Sequence, residues 1–158
     1  MTSHNPFSHL DKSGRAKMVD VSEKPVTRRV AEASCRVILK PETVRALGEM
    51  PKGDAITVAR LAGVQGAKRT AELIPLAHPL GLEQVEMEVI PEDCGVEIRS
   101  KVVVTARTGA EMEALVACST AALALYDMVK GVERQAVITD LRLEQKSGGR
   151  SGDFRRQR

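Results

Sequence analysis

The chain has 158 residues, the size of one domain, with 24 lysines and arginines against 21 aspartates and glutamates and a formal net charge of +3. So small a basic excess argues against a nucleic-acid protein, and no stretch approaches about 18 uninterrupted apolar residues, which argues against a membrane span. A chain of this length buries roughly 68–70% of its unfolded surface. Aromatics are 2% of residues and tryptophan is absent, so the core has to come from Val, Leu, Ile, Ala and Met.

In chain order, residues 1–26 are polar, carry scattered Gly, Pro and Ser, and read as an extended or mobile arm in which His4 and His9 have no expected catalytic role. Residues 27–146 form a single α+β domain. Its first element, TRRVAEASCRVILK, alternates Val30, Ala33, Cys35, Val37 and Leu39 with polar neighbours, a strand pattern with one slip. Pro41 opens a short helix ending at Gly48. Asp54 then caps a second helix built on Ile56, Ala59, Leu61, Ala62, Ala67 and Leu73, which Pro75 stops. LEQVEMEVI and GVEIRSKVVVTA, joined by a PEDCG turn, make a hairpin. A long helix from Glu111 to Lys130 follows, with Gly131 as its terminator, and RQAVITDLRLEQK returns as a strand. Residues 147–158 are a glycine-rich, basic tail whose composition alone fits a disordered terminus.

The order β, α, α, β, β, α, β gives an antiparallel sheet with helices on one face, the split βαβ arrangement of ferredoxin-like folds. Cys35, Cys94 and Cys118 are far apart and form no C-x-x-C pair, which fits a reduced, intracellular protein. With no early apolar run that could serve as a secretion signal, the cytoplasm is the expected location.

The long helix carries the most information. At about 100° per residue, Glu113, Val116, Thr120, Leu123, Asp127 and Lys130 fall near one stripe, so ionisable and core-type residues share a line that a plain surface helix would segregate. Asp127 and Lys130, three apart, also fit an ordinary helix-face ion pair of about 0.2–0.5 kcal/mol. At about 1.5 Å per residue Glu113 and Asp127 stand roughly 21 Å apart, too far for one compact site from a single copy. The expected solution is a pocket shared between subunits, with Asp127 and Lys130 at one end and Glu111 or Glu113 supplied by a neighbour.

Two further features suit an anionic ligand. His78 lies between Pro75 and Pro79, in a stiff segment that presents an imidazole able to donate, accept or shuttle a proton; a histidine satisfying a backbone carbonyl at a turn accounts for it equally well. Lys52, Lys68, Arg69, Lys130 and Lys146 stand at or near the ends of elements, where an ammonium can hold phosphate oxygens without deep burial. The phosphate loop, dinucleotide fingerprint, zinc-protease and nucleophile-elbow motifs are all missing, as are metal ligands at short spacing. Lysine, carboxylate and histidine acid–base groups are the expected instruments, and the metal-ligand set is expected to be empty.

Taken together, Met18 to Ser22, Lys52-Gly53-Asp54, Ala67-Lys68-Arg69-Thr70, Leu73 to Leu76, His78-Pro79-Leu80, Thr108-Gly109, Glu111 to Leu115, Tyr126-Asp127-Met128, Lys130 and Lys146 to Gly149 resemble the MoaC family, the cyclic pyranopterin monophosphate synthases of molybdenum cofactor biosynthesis. Ala77, where members often carry cysteine, and Arg150, where lysine is common, are departures. The resemblance implies a lyase-type synthase that converts 3′,8-cyclo-7,8-dihydroguanosine 5′-triphosphate to cyclic pyranopterin monophosphate and pyrophosphate. It implies catalytic roles for Asp127, Lys130, Lys52 and Lys146, and substrate contacts from Leu76, Ala77, His78, Met112, Glu113 and Glu111, with Lys68 and Arg69 as further cations. It also implies a hexamer built as a trimer of dimers, with sites at dimer interfaces, and a functional link to the upstream radical GTP 3′,8-cyclase. No cofactor is required by the sequence, although a divalent cation such as Mg can accompany the triphosphate. A non-catalytic nucleotide- or pterin-binding regulatory module is the alternative, and a purely structural oligomeric module fits least.

Overall fold

The computed structural model describes residues 10, 11 and 13–157; His4 and His9 fall outside them. In order the elements are β1 (Thr27–Ile38), α1 (Pro41–Arg45), a 3₁₀ turn (Leu47–Glu49), α2 (Ala55–Lys68), α3 (Thr70–Leu73), β2 (Leu82–Glu92), β3 (Gly95–Ala106), α4 (Glu111–Val129), β4 (Val137–Ser147) and β5 (Phe154–Arg155). The sheet order is β2-β3-β1-β4-β5, every neighbouring pair antiparallel. Strands β1 to β4 thus have the ferredoxin-like order, and β5 is an added edge. The class is α+β, as the alternation of elements implies.

The phase of β1 differs from the sequence expectation. Ala31, Ala33, Cys35 and Val37 form an unbroken buried row, while Val30 falls out of phase with it. The slip belongs to the partner strand: the β1–β4 register shifts twice, and β4 holds Asp140 at φ +55°, a left-handed conformation that short polar side chains tolerate at bulges. In β3 the row Val96, Ile98, Ser100, Val102 and Val104 faces the same core. The opposite sheet face is wet and carries cross-strand pairs, Arg99 with Glu88 at 3.9 Å and Lys101 with Glu86 at 3.9 Å, as expected of an antiparallel sheet covered on one side.

Asp54 caps α2 as its sequence position implies, its carboxylate accepting from the Ile56 and Thr57 amides at 3.0 and 3.3 Å. The helix does not run unbroken to Leu73, however. It interrupts at Arg69 (φ −105°, ψ 11°), where the buried Thr70 hydroxyl donates back to the Ala67 carbonyl at 3.0 Å and competes with the helical ladder. Helix α4 is buried along Ala114, Ala117, Cys118, Ala121, Leu125 and Val129. By length and composition it could cross a membrane, but 56% of that stretch is buried inside the domain, which identifies it as the core helix. Its end is a tight turn in which the Val132 and Glu133 amides both donate to the Val129 carbonyl. Gly131 is not among the glycines at positive φ, so it does not act as a left-handed terminator.

Small residues let α2 lie close on α4. A Cβ added at Gly66 would sit 2.7 Å from the Thr120 Cβ and closer still to its hydroxyl. Gly66→Ala therefore destabilises by about 1–3 kcal/mol, despite the roughly 1 kcal/mol helix-propensity gain of alanine over glycine. Thermal melts should show Thr120→Gly relieving the loss and Thr120→Ala failing to do so, since the clash includes Cβ itself.

The tail also departs from expectation. Residues 147–157 fold back on β4: Phe154 pairs with Lys146, and the Arg156 amide donates to the Glu144 carbonyl at 2.8 Å. Gly148 and Gly149, at φ +87° and +85°, turn the chain in a conformation other residues rarely adopt. The Gly148 amide donates to the Asp153 carboxylate at 3.1 Å. Composition marked a loose end because local glycine content does not reveal edge-strand pairing.

Candidate active site

Antiparallel pairing brings the start of β1 beside the ends of β3 and β4, with Thr27 opposite Ala106 and Val30 opposite Ser147. At this end of the sheet lies a cavity of about 800 Å³. It is lined by Leu76, Ala77, His78 and Leu80 from the loop after α3, by Arg107, Thr108 and Gly109 before α4, by Glu111, Met112 and Glu113 in its first turn, and by Lys146, Arg150 and Ser151. Val19, Val21 and Lys24 close it from the N-terminal side, and Arg29 from β1. Residues Val19, Val21 and Lys24 of the N-terminal segment are thus a wall of this cavity, and the Lys24 carbonyl accepts from Arg107 Nε at 3.2 Å.

Five cationic side chains, Lys24, Arg29, Arg107, Lys146 and Arg150, face two carboxylates here. Lys146 Nζ lies 3.1 Å from Glu111 Oε1 and donates to Ser151 Oγ at 2.6 Å, so strand, helix and tail meet at one ammonium. Arg29 donates from Nε to the Ala106 carbonyl and from Nη2 to the Arg107 carbonyl, both at 3.1 Å. Its guanidinium rests on Gly149, where an added Cβ would come within 2.8 Å of Cζ. A fork held at both sides in this way is preorganised for an anion. Arg29 is in phase with the buried row of β1, and an arginine in the core phase of a strand is the signal by which it could have been picked out from sequence; Lys24 and Arg107 carry no comparable mark.

Glu113 is 4% exposed. Burial pushes its carboxyl up to about 7; its own backbone amide opposes that shift and Glu111 adds to it. A carboxyl that changes protonation near neutrality is suited to proton transfer.

The other charged group lies at the far end of α4. Asp127 accepts from Lys52 Nζ at 2.7 Å through Oδ2, and Lys130 Nζ lies 2.7 Å from Oδ1. Lys52 also donates to the Asp127 carbonyl at 3.2 Å. The hydrogen bond from Lys130, then that from Lys52, holds the Asp127 carboxyl down to about 2, and the same bond to Asp127 raises the Lys130 pKa. The sequence left open whether cations or the carboxylate would govern Lys130; here the carboxylate does, and Lys130 is an ammonium at neutral pH. All three side chains are about half exposed, and Lys130 borders a hollow of about 310 Å³ with Lys40 and Arg134.

The chain therefore gathers Lys52, Asp127 and Lys130 at one end and Leu76, Ala77, His78, Glu111, Met112, Glu113 and Lys146 at the other, roughly 21 Å apart along the helix. Lys68 and Arg69 belong to neither group. Lys68 borders a separate hollow beside Val64 and Leu82 that meets the large cavity only at Leu80, and Arg69 turns back toward the side chain of Gln65.

A ferredoxin-like sheet with a cationic cavity at one end of its core helix and a lysine–aspartate–lysine cluster at the other is an α+β protein whose charge suits a polyanionic ligand. The chain belongs to the MoaC family, whose model matches residues 18–149. It is 55% identical over 158 residues to the cyclic pyranopterin monophosphate synthase of Streptomyces griseus, covering 99% of this chain and 89% of that protein. It is 56% identical over 152 residues to the protein of that name from Streptomyces coelicolor, with 95% and 89% covered. With cyclic pyranopterin monophosphate synthase 1 of Mycobacterium tuberculosis H37Rv it shares 53% over 153 residues, with 95% and 90% covered.

Proposed function

We propose that this chain is a cyclic pyranopterin monophosphate synthase that takes the cyclic dihydroguanosine triphosphate, releases pyrophosphate and forms the pterin of molybdenum cofactor biosynthesis. Family membership and the near-complete coverage of its relatives support the activity. The observation that carries the chemistry is the concentration of cations around one cavity large enough for a nucleotide-derived ligand.

Closing a cyclic phosphate requires a substrate oxygen to attack the α phosphorus and lose its proton, while the bond to the bridging oxygen breaks and pyrophosphate leaves with the electron pair. Ammonium groups held where that charge develops lower the barrier. Lys130 and Lys52, fixed as cations by Asp127, fit this role. Glu113, His78 and Lys146 line one cavity, which supports giving them the proton transfers of ring opening and pterin formation. A divalent ion such as Mg enters this reading only as a companion of the triphosphate. Lys68 and Arg69 keep a substrate role by family resemblance alone.

Because the two charged groups are a helix length apart, the complete site is formed between two copies in a hexamer that is a trimer of dimers. In each interface the Asp127–Lys130 end of one protomer faces the Glu113 end of its partner. The triphosphate is supplied by a radical GTP 3′,8-cyclase, and the reaction is cytoplasmic, in keeping with free, buried Cys35 and Cys118. Incubating the pure protein with the triphosphate should release pyrophosphate and a pterin with the mass of cyclic pyranopterin monophosphate. Tight binding without either product would make the protein a regulatory module instead.

A further inference from the structure

Glu133 lies outside the machinery described above and is nonetheless 8% exposed. It stands just beyond the C-terminal turn of α4, where unpaired carbonyls disfavour a carboxylate, and burial adds to that cost. Both of its oxygens accept from one donor, the Lys40 amide, at 3.2 and 3.1 Å. Lys40 is the N-cap position of α1, which has no side-chain cap of its own. The bond therefore ties the turn after α4 to the junction between β1 and α1, across 93 residues of sequence. Lys130 begins this turn, and the Tyr126 hydroxyl closes it from the helix side by donating to the Arg134 carbonyl at 3.1 Å.

We propose that Glu133 is a positioning residue for the Lys130 ammonium, anchoring the turn that carries Lys130 to the first strand so that Lys130 and Lys52 meet Asp127 together. The inference rests on the reading of Asp127 and Lys130 given above. The charged and titratable groups about Lys130 are Asp127 and Tyr126 from its own helix, Lys52 from the loop after the 3₁₀ turn, Lys40 at the end of β1, and Glu133 and Arg134 in the turn. Asp127 raises the Lys130 pKa through a direct hydrogen bond, so loosening the turn lets that pKa fall.

The test compares Glu133→Ala, Glu133→Gln and Glu133→Asp in the full-length oligomer, reading kcat, KM and the pH profile with the cyclic dihydroguanosine triphosphate. In Glu133→Ala, kcat should fall about tenfold with KM within about twofold, and the second alkaline limb of the profile, the one set by Lys130 above the Glu113 limb near 7, should move to lower pH. Glu133→Asp should restore part of the rate. Glu133→Gln, which keeps the volume and one acceptor oxygen, should show a smaller loss with the same alkaline displacement, and it carries the test if the alanine variant does not fold. Parental kcat and an unmoved Lys130 limb in a folded Glu133 variant overturn the proposal. So does a rate loss that merely follows the fraction of protein lost from the oligomer. Lys130→Ala, assayed alongside, separates the two levels: if it keeps the parental rate, the reading of Lys130 itself fails, whereas if it is inactive and the Glu133 variants are normal, only the present inference does.

Discussion

Lys130→Ala should lower turnover of the cyclic dihydroguanosine triphosphate by about 10³-fold or more while leaving the folded oligomer intact, as checked by pyrophosphate release and by size and melting temperature. The loss is large because an ammonium aimed at developing charge is among the costliest groups to remove from an active site. The fold is spared because the Lys130–Asp127 pair is half exposed, and exposed pairs contribute little stability. The pKa directions give the pH range of this cluster. Asp127, depressed to about 2, contributes stability that is present above its ordinary value and lost as pH falls through about 2. Lys130 is raised, so its contribution is complete below its ordinary value and lost only as pH rises through the raised one. The cluster is charged throughout the physiological range, and any pH dependence of turnover near 7 has to come from another group.

A mixing experiment tests the shared site directly. A protomer bearing Lys130→Ala keeps its Glu113 end, and one bearing Glu113→Gln keeps its Lys130 end. Random reassembly of equal amounts makes half the pairs mixed, and each mixed pair has one intact site out of two. Two nearly inactive proteins should therefore recover about a quarter of the parental rate. If each site lay within a single chain, mixing would recover nothing.

How much of this was legible in sequence depended on whether the signal was local. The capping of α2 by Asp54 and the distance between Glu113 and Asp127 follow from helix geometry, and the stripe along α4 was readable in the same way, although the helix emerges from the core along it, with Glu113 buried and Leu123 and Asp127 exposed. The slip assigned to β1 was misplaced because alternation in one strand cannot show that the bulge lies in its neighbour. Glycine chemistry misled in both directions: Gly131 suggested a left-handed helix end that the Val129 carbonyl makes unnecessary, while Gly148 and Gly149 suggested disorder where the Arg29 guanidinium and β4 hold a turn. Lys24, Arg29 and Arg107 are not legible as a group because they reach the cavity from three separate segments, which meet where Thr27 pairs with Ala106 and Arg107 donates to the Lys24 carbonyl.

Glu113→Gln should have the second largest effect, about a hundredfold loss of turnover, within the range for removing a general acid or base. At a pKa of about 7 the carboxyl is close to half protonated at neutral pH, whereas an ordinary glutamate would hold almost no proton. We take the protonated form as the donor, so the parental rate should fall as pH rises through about 7, and the glutamine variant should lack that limb. The substitution itself should change stability in the opposite sense to rate. A carboxyl whose folded pKa is raised binds its proton more tightly in the folded state, so the parental protein loses stability as pH climbs from the ordinary glutamate value toward 7. A shift of this size corresponds to an order-of-magnitude penalty of about 3 kcal/mol once the group is fully ionised. Glutamine carries no charge to bury, so Glu113→Gln should melt higher than the parent at pH 8 and show little difference at pH 4.5. A variant that is slower yet more stable at alkaline pH is the signature of a carboxylate buried for its chemistry; one that is slower and less stable at both pH values would assign Glu113 to packing instead.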